Sequence, residues 1–208
     1  MIFLQEMDIL SIIFKILVVL FSVVLHEVSH GAVANSLGDS TAKDMGRLTL
    51  NPFKHLDLFG SIILPIFTLL LGGFIFGYAK PVPYNPANLR DRKYGPAKVA
   101  FAGPAVNLII AVMFGLILRF LPASLGVTVL PELLSFIVML NLVLAVFNLV
   151  PIPPLDGHWL LLTFLPERFA SFKMFLLRYG LIIFLVFLIF IFPLLIPLIN
   201  FLFKVIVG

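Results

Sequence analysis

The sequence predicts an all-α polytopic membrane protein. The expected architecture is a helical transmembrane bundle with a short membrane-associated β-hairpin or strand after the first helix. Three observations carry this reading. The 208 residues are 62% hydrophobic and only 12% charged, with a mean hydropathy of +1.18, whereas a soluble domain carries about 25% charged residues. Several apolar runs approach the roughly twenty residues that cross a hydrocarbon core. The first run carries a single charge, Lys15, between Ile9 and Leu25, and then leads into His26-Glu27-Val28-Ser29-His30. Composition also excludes some classes. There is no cysteine, so disulfides and cysteine-ligated zinc are ruled out. The net charge of +4 reads as basic loops on one side of a bilayer, with lipid and not nucleic acid as the partner. Without repeats or a linker, residues 1–208 read as one integral-membrane domain.

The elements follow in order. Residues 8–37 form one long helix, ended by Gly38 and Asp39. Residues 41–57 are polar and irregular. Leu48, Thr49 and Leu50 alternate weakly, which suggests a short strand or hairpin. Residues 58–78 are apolar but broken by Pro65, Gly72, Gly73 and Gly77. Residues 97–121 and 131–150 are clear spans. Pro151, Pro153 and Pro154 stop the second, and Asp156-Gly157 opens a further helix over 156–165. Glu167 to Arg178 carries four charges and reads as interfacial. The tail, 179–208, is apolar and kinked or folded by Pro193 and Pro197.

Two histidines at i and i+4 lie on one face of a helix. His26 and His30 can therefore grip one metal ion, and Glu27 can act as general base on a zinc-activated water. Ionisable groups at membrane depth are costly, so a functional reading is the default. A catalytic zinc takes three protein ligands and keeps an open position. Of the ten acidic residues, Asp156 has the best context for the third ligand. Helix capping explains it equally well at this stage. His55 and His158 read as structural or interfacial. Asn107 and Asn148 are amides on apolar helices. Their readings are helix–helix hydrogen bonding or contact with substrate and oxyanion. Substrate contact is favoured for Asn148, and Asn107 stays open. Gly103-Pro104 lets its helix approach the histidine helix closely.

Several separated motifs share an order. They are His26-Glu27-Val28-Ser29-His30-Gly31, Gly46-Arg47-Leu48-Thr49-Leu50-Asn51-Pro52, Ala102-Gly103-Pro104-Ala105-Val106-Asn107, and Asn148 to Gly157 with Pro151-Ile152-Pro153-Pro154-Leu155-Asp156. Together they resemble the site-2 protease family of intramembrane zinc metalloproteases, in a short form without PDZ or nucleotide-sensing domains. The resemblance implies that His26, His30 and Asp156 hold Zn2+ and that Glu27 is the catalytic base. It also implies that Asn148, and with it Asn107, meets the substrate or its oxyanion. Leu48 to Leu50 would pair with an unwound substrate. The implied substrate is a transmembrane or membrane-anchored protein.

His30, Asn107 and Asp156 must meet, so the first and third spans run one way and 97–121 runs the other. Residues 58–78 are then expected to be re-entrant, because the alternative drags the charges of 80–98 through hydrocarbon. Loops 41–57 and 78–98 fall on the cytoplasmic side. That places the active site nearer the cytoplasmic face of a multi-pass protein, in the plasma membrane of a prokaryote. A metal or proton transporter is the competing function. It would more often show an inverted repeat, and none is visible.

Overall fold

The computed structural model describes residues 9–72, 77–122 and 129–208. It is built from helices: α1 (Ile9–Ser36), α2 (Thr41–Asp44), α3 (Leu64–Gly72), α4 (Gly95–Arg119), α5 (Val129–Asn148), α6 (Gly157–Phe164), α7 (Ala170–Val186) and α8 (Phe192–Val207). A π-helical turn, Leu58–Ile63, leads into α3, and another, Phe187–Ile191, joins α7 to α8. Among the described residues, four helical runs are long and apolar enough to cross a membrane: Ile9–Ser36, Gly95–Arg119, Val129–Asn148 and Glu167–Val207.

Helix α4 is the centre, packing against α1, α5, α6 and α8. Its buried face is small, with Ala97, Ala100, Gly103, Ala111 and Gly115, so neighbouring helices come close. Its outer face carries Phe101, Ile109 and Met113, exposed as a lipid-facing surface would be. The pairs His26–Asn107 and His30–Val99 set α4 antiparallel to α1. Lys15–Glu132 and Ser22–Asn141 set α5 parallel to α1. Lys15, the one charge in its run, lies 3.7 Å from Glu132. A dry cluster of Ala111, Val138, Leu142 and Ile199 joins α4, α5 and α8.

The expected β-hairpin or strand at Leu48, Thr49 and Leu50 is not formed, and there is no strand among the described residues. Local side-chain bonds take the groups a ladder would use. The Thr49 carbonyl accepts from His55 Nε2 at 2.8 Å, and the Asn51 N–H donates to Thr49 Oγ1 at 3.2 Å. Asn51 then caps a 3-10 turn, Pro52–Lys54. Such short-range bonds compete directly with sheet formation. The 58–78 segment enters at Leu58 and runs to Gly72; residues 73–76 lie outside the described set. At its far end the Tyr78 N–H donates to the Gly60 carbonyl at 3.0 Å, and Ser61 Oγ donates to the Tyr78 carbonyl at 3.0 Å. The two ends of the segment therefore lie side by side.

From there residues 77–94 return as an extended strap. Its anchor is Asp39, fully buried just past α1. The carboxylate accepts from the Thr41 hydroxyl and N–H, the Asn85 N–H at 2.7 Å and Asn88 Nδ2 at 2.9 Å. Burial alone would push this acid up. The bonds from Thr41, Asn85 and Asn88 outweigh it and hold the carboxyl below its ordinary 3.8. A lowered folded-state value means the contribution is present above the ordinary range and is lost as pH falls through the folded-state value. Asp39→Asn should therefore lower thermal stability in detergent at neutral pH, by about 1–3 kcal/mol for a broken buried network. It should also flatten the loss of stability expected of the parent below pH 3.8. Parallel melting curves of parent and variant across acid pH check both.

Candidate metal centre and active site

Helix α1 places His26 and His30 one turn apart, with ring centroids 4.7 Å apart and planes at 85°. Each ring is fixed from behind. His30 Nδ1 lies 2.7 Å from the Val99 carbonyl of α4, which can only accept, so Nδ1 carries the proton. His26 Nδ1 lies 2.6 Å from Asn107 Oδ1. Asn107 spends its amide hydrogens on Asn141 Oδ1 at 2.8 Å and on the Ser22 carbonyl at 3.4 Å. Its oxygen must therefore face His26, and His26 Nδ1 is also the protonated nitrogen. Asn141 is held in turn by Ser22 Oγ and the Ile137 carbonyl. Asn107 and Asn141 are both fully buried, and every group in this chain of amides has a partner, as a low-dielectric interior requires.

Both Nε2 lone pairs then point inward, 3.1 Å from each other. Asp156 Oδ2 meets them at 3.0 Å from His26 and 3.2 Å from His30. With both rings neutral these are three acceptors, which repel unless a cation sits among them. Ligand atoms bound to a tetrahedral zinc at about 2.0–2.1 Å stand about 3.3 Å apart. The observed triangle is close to that. Gly103 supplies the space: a Cβ there would lie 2.4 Å from His30 Nε2 and 2.6 Å from His26 Nε2. Helix α4 thus crosses the ring edges only because residue 103 has no side chain. The residues fit a divalent metal, with ring N–H groups held by carbonyls as metal-binding histidines usually show.

Asp156 reaches the triad through the proline-rich turn after α5. Gly157 makes this possible, since a Cβ there would lie 2.2 Å from the Leu149 carbonyl. Asp156 stands at the N-terminus of α6 but makes no side-chain capping bond; its carboxylate is directed to the histidines. Its side chain keeps 22% exposure, against 8% and 10% for His26 and His30, so the centre opens on the Asp156 side. Glu27 lies beside the triad, and its Oε2 accepts from the Val82 N–H of the strap at 2.8 Å.

The remaining sequence candidates fall elsewhere. Asn148 turns its amide nitrogen back onto the Leu144 carbonyl at 2.9 Å. His158 Nδ1 bonds the Leu155 carbonyl at 2.6 Å. His55 holds Thr49 and faces no metal group. Leu48 packs on α1 where Gly31 leaves room. Sequence reasoning missed Ser22, Asn141, the Val99 carbonyl and the strap. The one available signal for the strap was the alternation of proline at 81 and 83. Tyr84, on the strap, has a buried hydroxyl. Burial, and then the Asp156 carboxylate, push its phenol up to about 12, so it stays neutral.

The model of peptidase family M50 matches residues 14–131 and 123–189, which contain the whole triad. The chain belongs to that family, the site-2 proteases. Its relatives agree. The Bacillus subtilis protein named "Putative zinc metalloprotease YwhC" is 38% identical over 180 residues, covering 83% of this chain and 78% of that one. The Mycolicibacterium smegmatis protein Rip2, similarly named, is 37% identical over 142 residues, covering 67% of this chain and 52% of its own. Rip2 of Mycobacterium tuberculosis (strain Erdman) is 34% identical over 170 residues, covering 80% and 64%. The chain thus spans about half to two thirds of the Rip2 proteins. No solved structure matches it. Family membership and four apolar helical runs make this M50 chain a multi-pass integral membrane protein.

Gly103→Ala should remove bound metal without harming the helix. Alanine favours helix by about 1 kcal/mol over glycine, but its Cβ would occupy the ligand triangle. Metal analysis of purified protein should show a large fall in zinc with an intact helical circular-dichroism spectrum. Normal zinc content would mean the ion lies elsewhere.

Proposed function

We propose that this M50 chain is a zinc endopeptidase that hydrolyses peptide bonds within or near transmembrane segments of substrate proteins. The observation that carries the reading is the convergence of His26 Nε2, His30 Nε2 and Asp156 Oδ2 on one point, with Glu27 beside it. His26, His30 and Asp156 would hold the ion. When bound, zinc supplies Lewis-acid polarisation of a carbonyl and an acidic water. Glu27 would take a proton from the water that adds to the scissile carbonyl carbon and return it to the amine nitrogen as the C–N bond breaks. Asn107 fixes the ring and tautomer of His26. Asn148 Nδ2 gives one hydrogen to the Leu144 carbonyl and keeps its second for an oxyanion. The backbone groups of Leu48 and Leu50, which form no hydrogen bond within the described residues, are available to an extended substrate.

The membrane setting follows from the same reading. The helical part of 58–72 is about 22 Å long, short of the about 30 Å a span needs. With Tyr78 beside Gly60, this supports a re-entrant segment, with loops 41–57 and 78–98 on the cytoplasmic face of a prokaryotic plasma membrane.

Two measurements test this. Glu27→Gln should lose about 10²–10⁴-fold in cleavage of a membrane-spanning peptide while keeping its zinc, since it removes a general base and no ligand. Near-parental cleavage would remove Glu27 from the mechanism. Single cysteines at Lys43 and Arg92, in a chain with no native cysteine, should both react with an impermeant reagent from the same side. Labelling from opposite sides would rule out the re-entrant path.

A further inference from the structure

The strap from Lys80 to Asn88 carries only three backbone N–H groups before Asn85, because Pro81 and Pro83 have none. In an extended chain alternate residues face opposite edges. Prolines at 81 and 83 leave one edge without donors, and Lys80, Val82 and Tyr84 present theirs on the other. Lys80 N–H is taken by the His55 carbonyl at 2.8 Å. Val82 N–H is taken by Glu27 Oε2 at 2.8 Å. The strap is fixed at both ends of this contact. Arg47 Nη2 donates to the Lys80 and Pro81 carbonyls at 2.9 and 3.3 Å. Asp39 receives Asn85 and Asn88. The Arg90 N–H donates to the Leu37 carbonyl at 2.9 Å. The Val82 side chain is buried against α1 where Gly31 leaves room. Two prolines, a buried arginine and a buried aspartate thus hold one backbone N–H against one carboxylate oxygen.

We infer that the Val82 backbone N–H is the positioning group of the catalytic base, and that Asp39 and Arg47 act through the strap to hold it there. This rests on the peptidase reading of Glu27. A glutamate with a free side chain samples several rotamers. With Oε2 tied to Val82, Oε1 is left as the single oxygen for the reacting water. A general base must stand within hydrogen-bond reach of its proton, and a displacement of about 1 Å can cost about 10²-fold. The strap is therefore part of the reaction machinery although it offers no reactive side chain at this point.

The experiment separates donor from side chain. Val82→Pro deletes the N–H within a segment already shaped by proline. Val82→Ala deletes the side chain and keeps the donor. Cleavage of an end-labelled single-span peptide with a central helix break is followed in detergent, with and without a chelator. Val82→Pro should fall about 10–100-fold in kcat relative to Val82→Ala, with KM and zinc content shared by the two. Equal kcat in the two variants overturns the inference. Amide exchange supplies a readout free of activity, and it decides the matter if Val82→Pro does not fold. In Glu27→Ala one further amide of the 80–90 peptide should exchange rapidly, whereas Glu27→Gln, which keeps a carbonyl acceptor, should protect it as the parent does. Unchanged exchange in Glu27→Ala shows the contact is absent and overturns the inference. Failure of the parent itself to cleave in a chelator-sensitive way strikes the peptidase reading, and the exchange result still judges the contact.

Discussion

Two imidazole nitrogens and a carboxylate oxygen stand about 3 Å apart inside this protein, and the rest of the structure is arranged around that conflict. Two imidazole nitrogens and a carboxylate oxygen within one contact radius repel in a medium of low dielectric. A divalent cation turns the repulsion into binding. The conflict is maintained because each ligand is held from outside: His30 by the Val99 carbonyl, His26 by Asn107, and Asp156 by the turn through Pro151 to Gly157. Neither histidine can rotate away without leaving a buried polar group unpaired, which costs about 1–3 kcal/mol.

That requirement explains the packing of the spans. Ser22, Asn107 and Asn141 place polar groups on α1, α4 and α5 at one level. In water such a network could exchange partners with solvent. In a bundle facing lipid it has no alternative partners and so fixes the register of the three helices. Small residues on α4 let the helices come near enough for the amides to meet, and Gly103 leaves the one void the ion needs. The same contacts thus set helix register and ligand geometry together.

Much of this was legible in the sequence. The i, i+4 histidines, the intervening Glu27 and the apolar runs each have a direct physical meaning, and Gly103 was readable as a point of close approach. Asp156 was ambiguous because aspartate caps helices and binds metals equally well; only the fold shows that it does not cap. The strand expected at Leu48 to Leu50 failed for a reason that alternation cannot reveal. Thr49, Asn51 and His55 bond one another locally, and no second strand stands beside them among the described residues. The strap was invisible for a different reason. Its part in the site lies in a backbone N–H, and backbone atoms leave no residue signature beyond the prolines that shape them. Asn107 and Asn148 are both amides on apolar helices, with substrate contact favoured for Asn148 and Asn107 left open, yet Asn107 faces His26 and Asn148 its own helix.

The central claim is that one zinc ion sits among His26, His30 and Asp156. X-ray absorption at the zinc edge of the purified protein tests it most directly. The account predicts one zinc per chain with nitrogen and oxygen neighbours at about 2.0–2.2 Å. It also predicts the outer-shell scattering of two imidazole rings, reduced to one in His26→Ala. A spectrum without histidine scattering, or one left unchanged by His26→Ala, would contradict it.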